Sequence, residues 1–264
     1  MKKLAFFVPI LMFTGSLFIG SKLMSSGNMS PVMMVVLMVG ILFAVSLFRP
    51  KPKQTVKPAD ELENEIRGDF AKNAFLDDEQ LNLKFKSALK DYSGNMPKAA
   101  YSKLTKLVPL CRNDQEKYVV AIATAQVQMT LGKFMDACRQ YTTALVIHPS
   151  TELAMKQGGC YQRLGELDKA RSAYTYALDL EESNLEAHSA IATTYVADRN
   201  YEEALGVALK VLEKNENHAS SLATTAICYG LLGESDMRDL YTDRAEANGY
   251  SRRKINDTIS ALKR

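Results

Sequence analysis

The feature that most constrains this chain is a turn that returns at a fixed period. Gly132-Lys133-Phe134-Met135-Asp136-Ala137 is answered by Gly165-Glu166-Leu167-Asp168-Lys169-Ala170, 33 residues on. Arg199-Asn200-Tyr201-Glu202-Glu203-Ala204 follows after 34 residues, and Gly233-Glu234-Ser235 after another 34. Other columns hold the same register. Ala125, Gly158, Ala192 and Ala226 are all small; Tyr161, Tyr195 and Tyr229 align, with Gln128 as the exception. Tyr141 aligns with Tyr174, and Ala144 with Ala177 and Ala245, with Val211 between them. A period of this length means one supersecondary unit repeated, whose apolar face is buried only by stacking on its neighbours.

The column types suit pairs of antiparallel helices. Close packing needs a small residue on one helix where a large one crosses from the other, hence Ala or Gly columns opposite Tyr and Leu. A glycine at the turn ends the first helix in left-handed geometry at little steric cost. Where that glycine is replaced by Arg199, Asn200 is expected to keep the turn, since Asn tolerates such geometry.

These residues resemble the tetratricopeptide repeat family, over roughly Tyr118 to Asn248. The units are 118–150, 151–184, 185–218 and 219–248. The sequence departs from the family pattern in places. The bulky aromatic early in the first helix is replaced by Ala121, Ala154, His188 and Leu222. The closing proline survives only as Pro149, with Glu182 and Glu216 at the equivalent places. Arg238 stands where a small crossing residue is expected, which implies a looser last pair. Upstream, residues 59–117 read as a leading helix (Ala59 to Asn73) and a degenerate pair, Glu79–Tyr92 and Met96–Leu110. Downstream, 249–264 reads as a capping helix with Ser251 as its N-cap. The expected fold class is all-α: two N-terminal transmembrane helices, then a TPR-like α-solenoid of five helix pairs and a cap.

The transmembrane expectation comes from residues 1–48. Leu4 to Gly20 and Pro31 to Phe48 are uncharged runs of 17 and 18 residues, close to the length that crosses about 30 Å of hydrocarbon. A cleaved signal peptide is the rival for the first run, but Ile19-Gly20-Ser21-Lys22 is a poor cleavage site and the second run remains regardless. We therefore read an uncleaved hairpin. Lys2 and Lys3 precede it, only Lys22 lies in the connection, and Arg49, Lys51, Lys53 and Lys57 follow. The positive-inside rule then puts both termini and the repeats on the cytoplasmic side, with a bacterial cytoplasmic membrane as the default. Small residues four apart (Ser16 with Gly20, Gly40 with Ala44) allow self-association through the hairpin. Residues 49–58 form a basic, proline-rich linker suited to an extended spacer near anionic headgroups.

Charge argues against nucleic acid. The formal +3 arises from the first 49 residues, which hold four basic residues and no acid, so the remainder is −1. No catalytic constellation stands out. His148, His188 and His218 are 30 or more residues apart in different parts of the repeat, so neither a metal nor a cofactor is expected. Cys111, Cys138, Cys160 and Cys228 lack C-x-x-C spacing and read as free, mostly buried thiols; Cys160 and Cys228 share a packing column. The expected class is a binding protein and not an enzyme.

The resemblance implies a protein or peptide partner held along the first helices of the pairs. Carried over by register, the surface takes in Ile122, Gln126, Met129 and Thr130, then Met155, Gln162 and Arg163. Thr193, Val196 and Ala197 follow, and Ala223, Ile227 and Leu231 close the row. Only Arg163 is basic there, so the cluster with which some members grip a terminal carboxylate is absent. Each residue equally suits packing between units. Two functions follow: a scaffold or adaptor at the cytoplasmic face of a membrane, or a structural subunit of a membrane complex (secretion, envelope assembly or proteolysis) whose hairpin is part of the interface.

Overall fold

The computed structural model describes Phe70, Ala71, Ala74, Phe75 and residues 77–263. The expected hairpin, the linker and most of the leading helix lie outside these residues. Among the described residues no helix is long and apolar enough to cross a membrane. Of the expected leading helix, Phe70 and Ala71 are described, and both lie in a turn, not a helix.

Among the described residues there are eleven α-helices, ten of them in antiparallel pairs. The first pair is α1 (Glu79–Ser93) and α2 (Pro97–Leu107), with a 3-10 turn at Val108–Leu110. Pro109 lies in that turn, where an α-helix would have needed its missing N–H. The next pairs are α3 (Asp114–Thr130) with α4 (Phe134–Ile147), α5 (Thr151–Leu164) with α6 (Leu167–Leu180), and α7 (Leu185–Ala197) with α8 (Tyr201–Lys214). The last pair is α9 (Ala219–Leu232) with α10 (Ser235–Ala247), and α11 (Arg252–Leu262) stands alone.

Local chemistry sets the helix starts. Asn113 Oδ1 accepts the Glu116 amide at 2.8 Å while Glu116 Oε2 reaches back to the Arg112 amide at 2.6 Å, a reciprocal cap on α3. Asn184 caps α7 in the same way through the Ala187 amide, and Ser251 caps α11 through that of Lys254. The intra-pair turns share one backbone geometry: Gly132, Gly165 and Gly233 have φ of 72°, 77° and 90°. At the fourth such turn Arg199 itself takes the left-handed conformation, with φ 63°. Asn200 does not; it has φ −89° and precedes α8. The expectation that Asn200 keeps the turn is thus corrected: stacking fixes the turn's shape, and the residue in the glycine column must follow it.

The small column works as crossing points. An ideal Cβ on Gly158 would lie 2.4 Å from Tyr174 Cε1, so only glycine lets α6 lay that ring against α5. In the last unit the small residue has moved. Arg238 occupies the crossing position on α10, and Gly230 on α9 makes the room: an added Cβ there would meet Arg238 Cδ at 3.2 Å and Ile259 Cδ1 at 2.6 Å. The capping helix α11 thereby plugs the end of the stack with Ile255 and Ile259.

The core is not continuous. One buried cluster runs from Ala71 to Ala187 and a second from Val196 to Ile259. Between them, α7 buries Ser189, Ala192 and Thr194, small or polar residues that belong to neither cluster. All four cysteines are free, with Cys138, Cys160 and Cys228 buried.

Candidate partner-binding face

The first helices of successive pairs touch through their side chains, which gives the row expected from register a physical continuity. Cys160 of α5 donates its S–H to Met129 Sδ of α3 at 3.0 Å, and Gln162 Nε2 of α5 donates to Thr193 Oγ1 of α7 at 3.3 Å. Not every expected residue is offered to solvent. Ile122 has no exposed surface and is a core residue, which corrects its assignment to the face. Ala223, Val196 and Ile227 are also buried. Gln126, Met129, Met155, Gln162, Thr193 and Leu231 are half-buried, and Thr130, Arg163 and Ala197 are exposed. The reason lies in helix rotation: register places residues in columns, but only the packed structure says which column faces the neighbouring unit.

The half-buried amides are held from behind. Tyr141 of α4 donates its hydroxyl to Gln126 Oε1 at 2.9 Å, and Tyr174 of α6 donates to Gln162 Oε1 at 3.0 Å. Burial pushes the Tyr174 phenol up to about 12, so it keeps its proton further into alkaline pH than an ordinary phenol. At the first pair, Tyr92 and Thr130 share a hydrogen bond of 2.8 Å across 38 residues. The arrangement fixes Gln126 and Gln162 by their carbonyl ends. Gln126 keeps its amide N–H groups for another acceptor, whereas Gln162 commits one to Thr193.

Sequence columns had shown Tyr141 and Tyr174 as packing aromatics. Their hydroxyl role is legible only once their ring tips are seen to meet the glutamines. Gly159 adds a second feature that register alone missed. It occupies the column of Gln126 and Thr193, and a Cβ built on it meets nothing nearer than Tyr174 Oη at 4.0 Å. The row therefore carries a notch between two polar side chains. At its edge, Arg163 lies with its guanidinium carbon 5.6 Å from the centre of the Phe134 ring.

Among the described residues no group of three His, Cys, Asp or Glu side chains could hold a metal. Burial raises the thiols of Cys138 and Cys160, the opposite of an activated nucleophile.

A tetratricopeptide repeat protein from Parabacteroides merdae superimposes with a TM-score of 0.59, at 20% identity, over 69% of this chain and 72% of that one. MamA matches with a TM-score of 0.53 and 16% identity over 61% of this chain and 93% of its own. YrrB, described as a TPR protein with an unusual peptide-binding site, gives 0.50 and 17% over 72% and 93%. The described residues have the tetratricopeptide-repeat fold. Matches in sequence are shorter. The Protein CTR9 homolog of Arabidopsis thaliana is 31% identical over 88 residues, 33% of this chain. Protein PHOX1 of the same plant is 31% identical over 100 residues, 38% of this chain. The matched stretches span only 8% and 13% of those curated relatives' lengths. No protein-family model matches the sequence.

Proposed function

We infer that this chain is a membrane-anchored TPR scaffold that holds a protein or peptide partner along its first helices at the cytoplasmic face of a membrane, and that it is not an enzyme. The observation that carries the binding half is the row Gln126, Gly159, Gln162 and Thr193, with both glutamines fixed by tyrosine hydroxyls from the second helices. Pre-positioned amides suit the backbone groups of an extended segment, because little side-chain entropy is lost on binding. Met129, Met155 and Leu231 supply adaptable apolar contact beside them. YrrB, with the same fold, carries a peptide-binding site by its description. The anchoring half rests on the two uncharged runs at 4–20 and 31–48 and the basic residues around them.

Photo-crosslinking from the full chain tests the binding half. A crosslinker at Met129 is expected to capture a partner, and one at Val146, 80% exposed, is not. Met155→Asp with Arg163→Glu should abolish the adduct at position 129. Equal capture at both positions, or an adduct indifferent to the double substitution, refutes the site. Capture that persists after removal of residues 1–58 supports an adaptor, whereas loss with the array still folded moves the interface to the hairpin. A reporter fused after Arg264 that works only outside the cytoplasm overturns the topology.

A further inference from the structure

The first helix pair differs chemically from everything that follows it. Residues 77–113 hold seven basic and four acidic residues, a net +3, whereas 114–263 hold sixteen basic and twenty-one acidic, a net −5. Exposed apolar side chains concentrate in the same region, on α1, in its connection to α2 and in the turn that follows α2. Leu83, Met96, Val108 and Leu110 are 60, 51, 49 and 45% exposed. Lys84, Ser87, Lys103, Lys106, Leu107 and Leu110 line one open depression between α1 and α2. Lys103 is engaged by Asp91 at 2.6 Å, but neither Lys84 nor Lys106 pairs with an acid among the described residues.

We propose that this basic and apolar surface around α1, α2 and the turn after them docks on the headgroup layer of an anionic membrane. Lysines set beside exposed leucines match a surface that is negative at the phosphates and apolar just beneath. The acidic remainder of the array is repelled by the same surface, which turns the attraction into an orientation. The proposal leans on the anchoring reading only for local concentration. Residues 49–78 separate the second expected span from α1, a tether of at most about 100 Å. Docking would hold the first pair down and leave the later units free for a partner.

The test uses the full chain with Leu83→Cys on a Cys111→Ser background, labelled with an environment-sensitive dye. The remaining thiols are buried and raised, so they resist labelling. Vesicles of phosphatidylcholine with and without phosphatidylglycerol are compared, and flotation is scored alongside dye emission. Emission is expected to rise and shift to the blue only with the anionic lipid, to fall with salt, and to need at least about tenfold more anionic lipid in Lys84→Glu/Lys106→Glu. Equal emission in both lipids, or no effect of the charge reversal, overturns the proposal. Flotation with both lipids and no dye response keeps the anchor and removes the face. Flotation with anionic vesicles only, reversed by salt, keeps the face and removes the anchor. If the double reversal instead releases a protein cross-linked at Leu83, with no lipid response, the face belongs to an acidic protein and the proposal fails.

Discussion

The two halves of the array bury their apolar surface by different means. In the half ending at Ala187, large rings carry the packing: Tyr174 fills the gap left by Gly158, and Phe75 packs on Phe85 with centroids 5.1 Å apart. In the half beginning at Val196, the cluster is built largely from aliphatic side chains and closed by the isoleucines of α11. The seam between them, α7, contributes little apolar surface. It buries Ser189, whose hydroxyl has no hydrogen-bond partner, and it ends on Arg199 in a conformation that glycine holds at the other turns. What spans the seam is polar: Arg171 of α6 bonds Asp168 and, at 3.1 Å, Asp198 at the end of α7, with its guanidinium carbon 5.0 Å from the Tyr195 ring centre. Nearest-neighbour stacking lets one repeat protein carry strong and weak interfaces side by side, because each unit answers only to its neighbours.

Substitutions can break or sharpen this contrast. The largest effect is expected for Gly158→Ala, which forces a methyl into the Tyr174 ring. Even after the gain in helix propensity, it should cost about 3 kcal/mol in denaturant unfolding. Gly230→Ala meets the mobile tip of Ile259 instead, so a much smaller loss, with α11 fraying first in hydrogen exchange, is the expected contrast.

Alkaline pH probes both halves together. Burial lifts Tyr174 in the first and Cys228 in the second to about 12, against ordinary values of 10 and 9. A folded-state pKa raised above the unfolded one means full stability below the unfolded value and progressive loss as pH climbs towards the folded one. Thermal melts should therefore fall between about pH 9 and 12. Tyr174→Phe should lessen the first half's share, which the buried thiols of Cys138 and Cys160 also carry, and Cys228→Ala the second's; unchanged slopes in both would remove burial as the cause.

At the seam itself, Arg171→Ala should cost about 1 kcal/mol, since the pair is only partly shielded, and should let the halves unfold at separate denaturant midpoints. The smallest effect is a gain. Arg199→Gly relieves the left-handed strain and should stabilise by about 0.5–1 kcal/mol, after the extra freedom of glycine in the unfolded chain is deducted. A loss instead would mean that the Arg199 side chain supports the seam.

Much of the fold was legible because the repeat is local. Gly132, Gly165 and Gly233 mark turns by their own conformational needs, and the Ala/Gly columns mark crossings by size. The candidate face was less legible. Ile122 and Gln126 are four residues apart on α3, yet one is entirely buried and the other reaches the surface. Tyr141 and Tyr174 were visible as a column, but their hydroxyls found Gln126 and Gln162 only through the pairing of helices. Periodicity reports spacing along a helix and says nothing of its rotation against a neighbour.

By itself, then, the sequence determined the all-α repeat, the places of its turns and the absence of a basic cluster along the first helices, all consequences of side-chain size, backbone freedom and charge at fixed spacing. The tertiary structure decided the rest: that Arg199 must bend where glycine is missing, that Gly230 makes the room Arg238 takes, and that the core divides at α7. Each depends on which atoms meet across a gap of a few ångströms, and that distance is set by packing many residues at once.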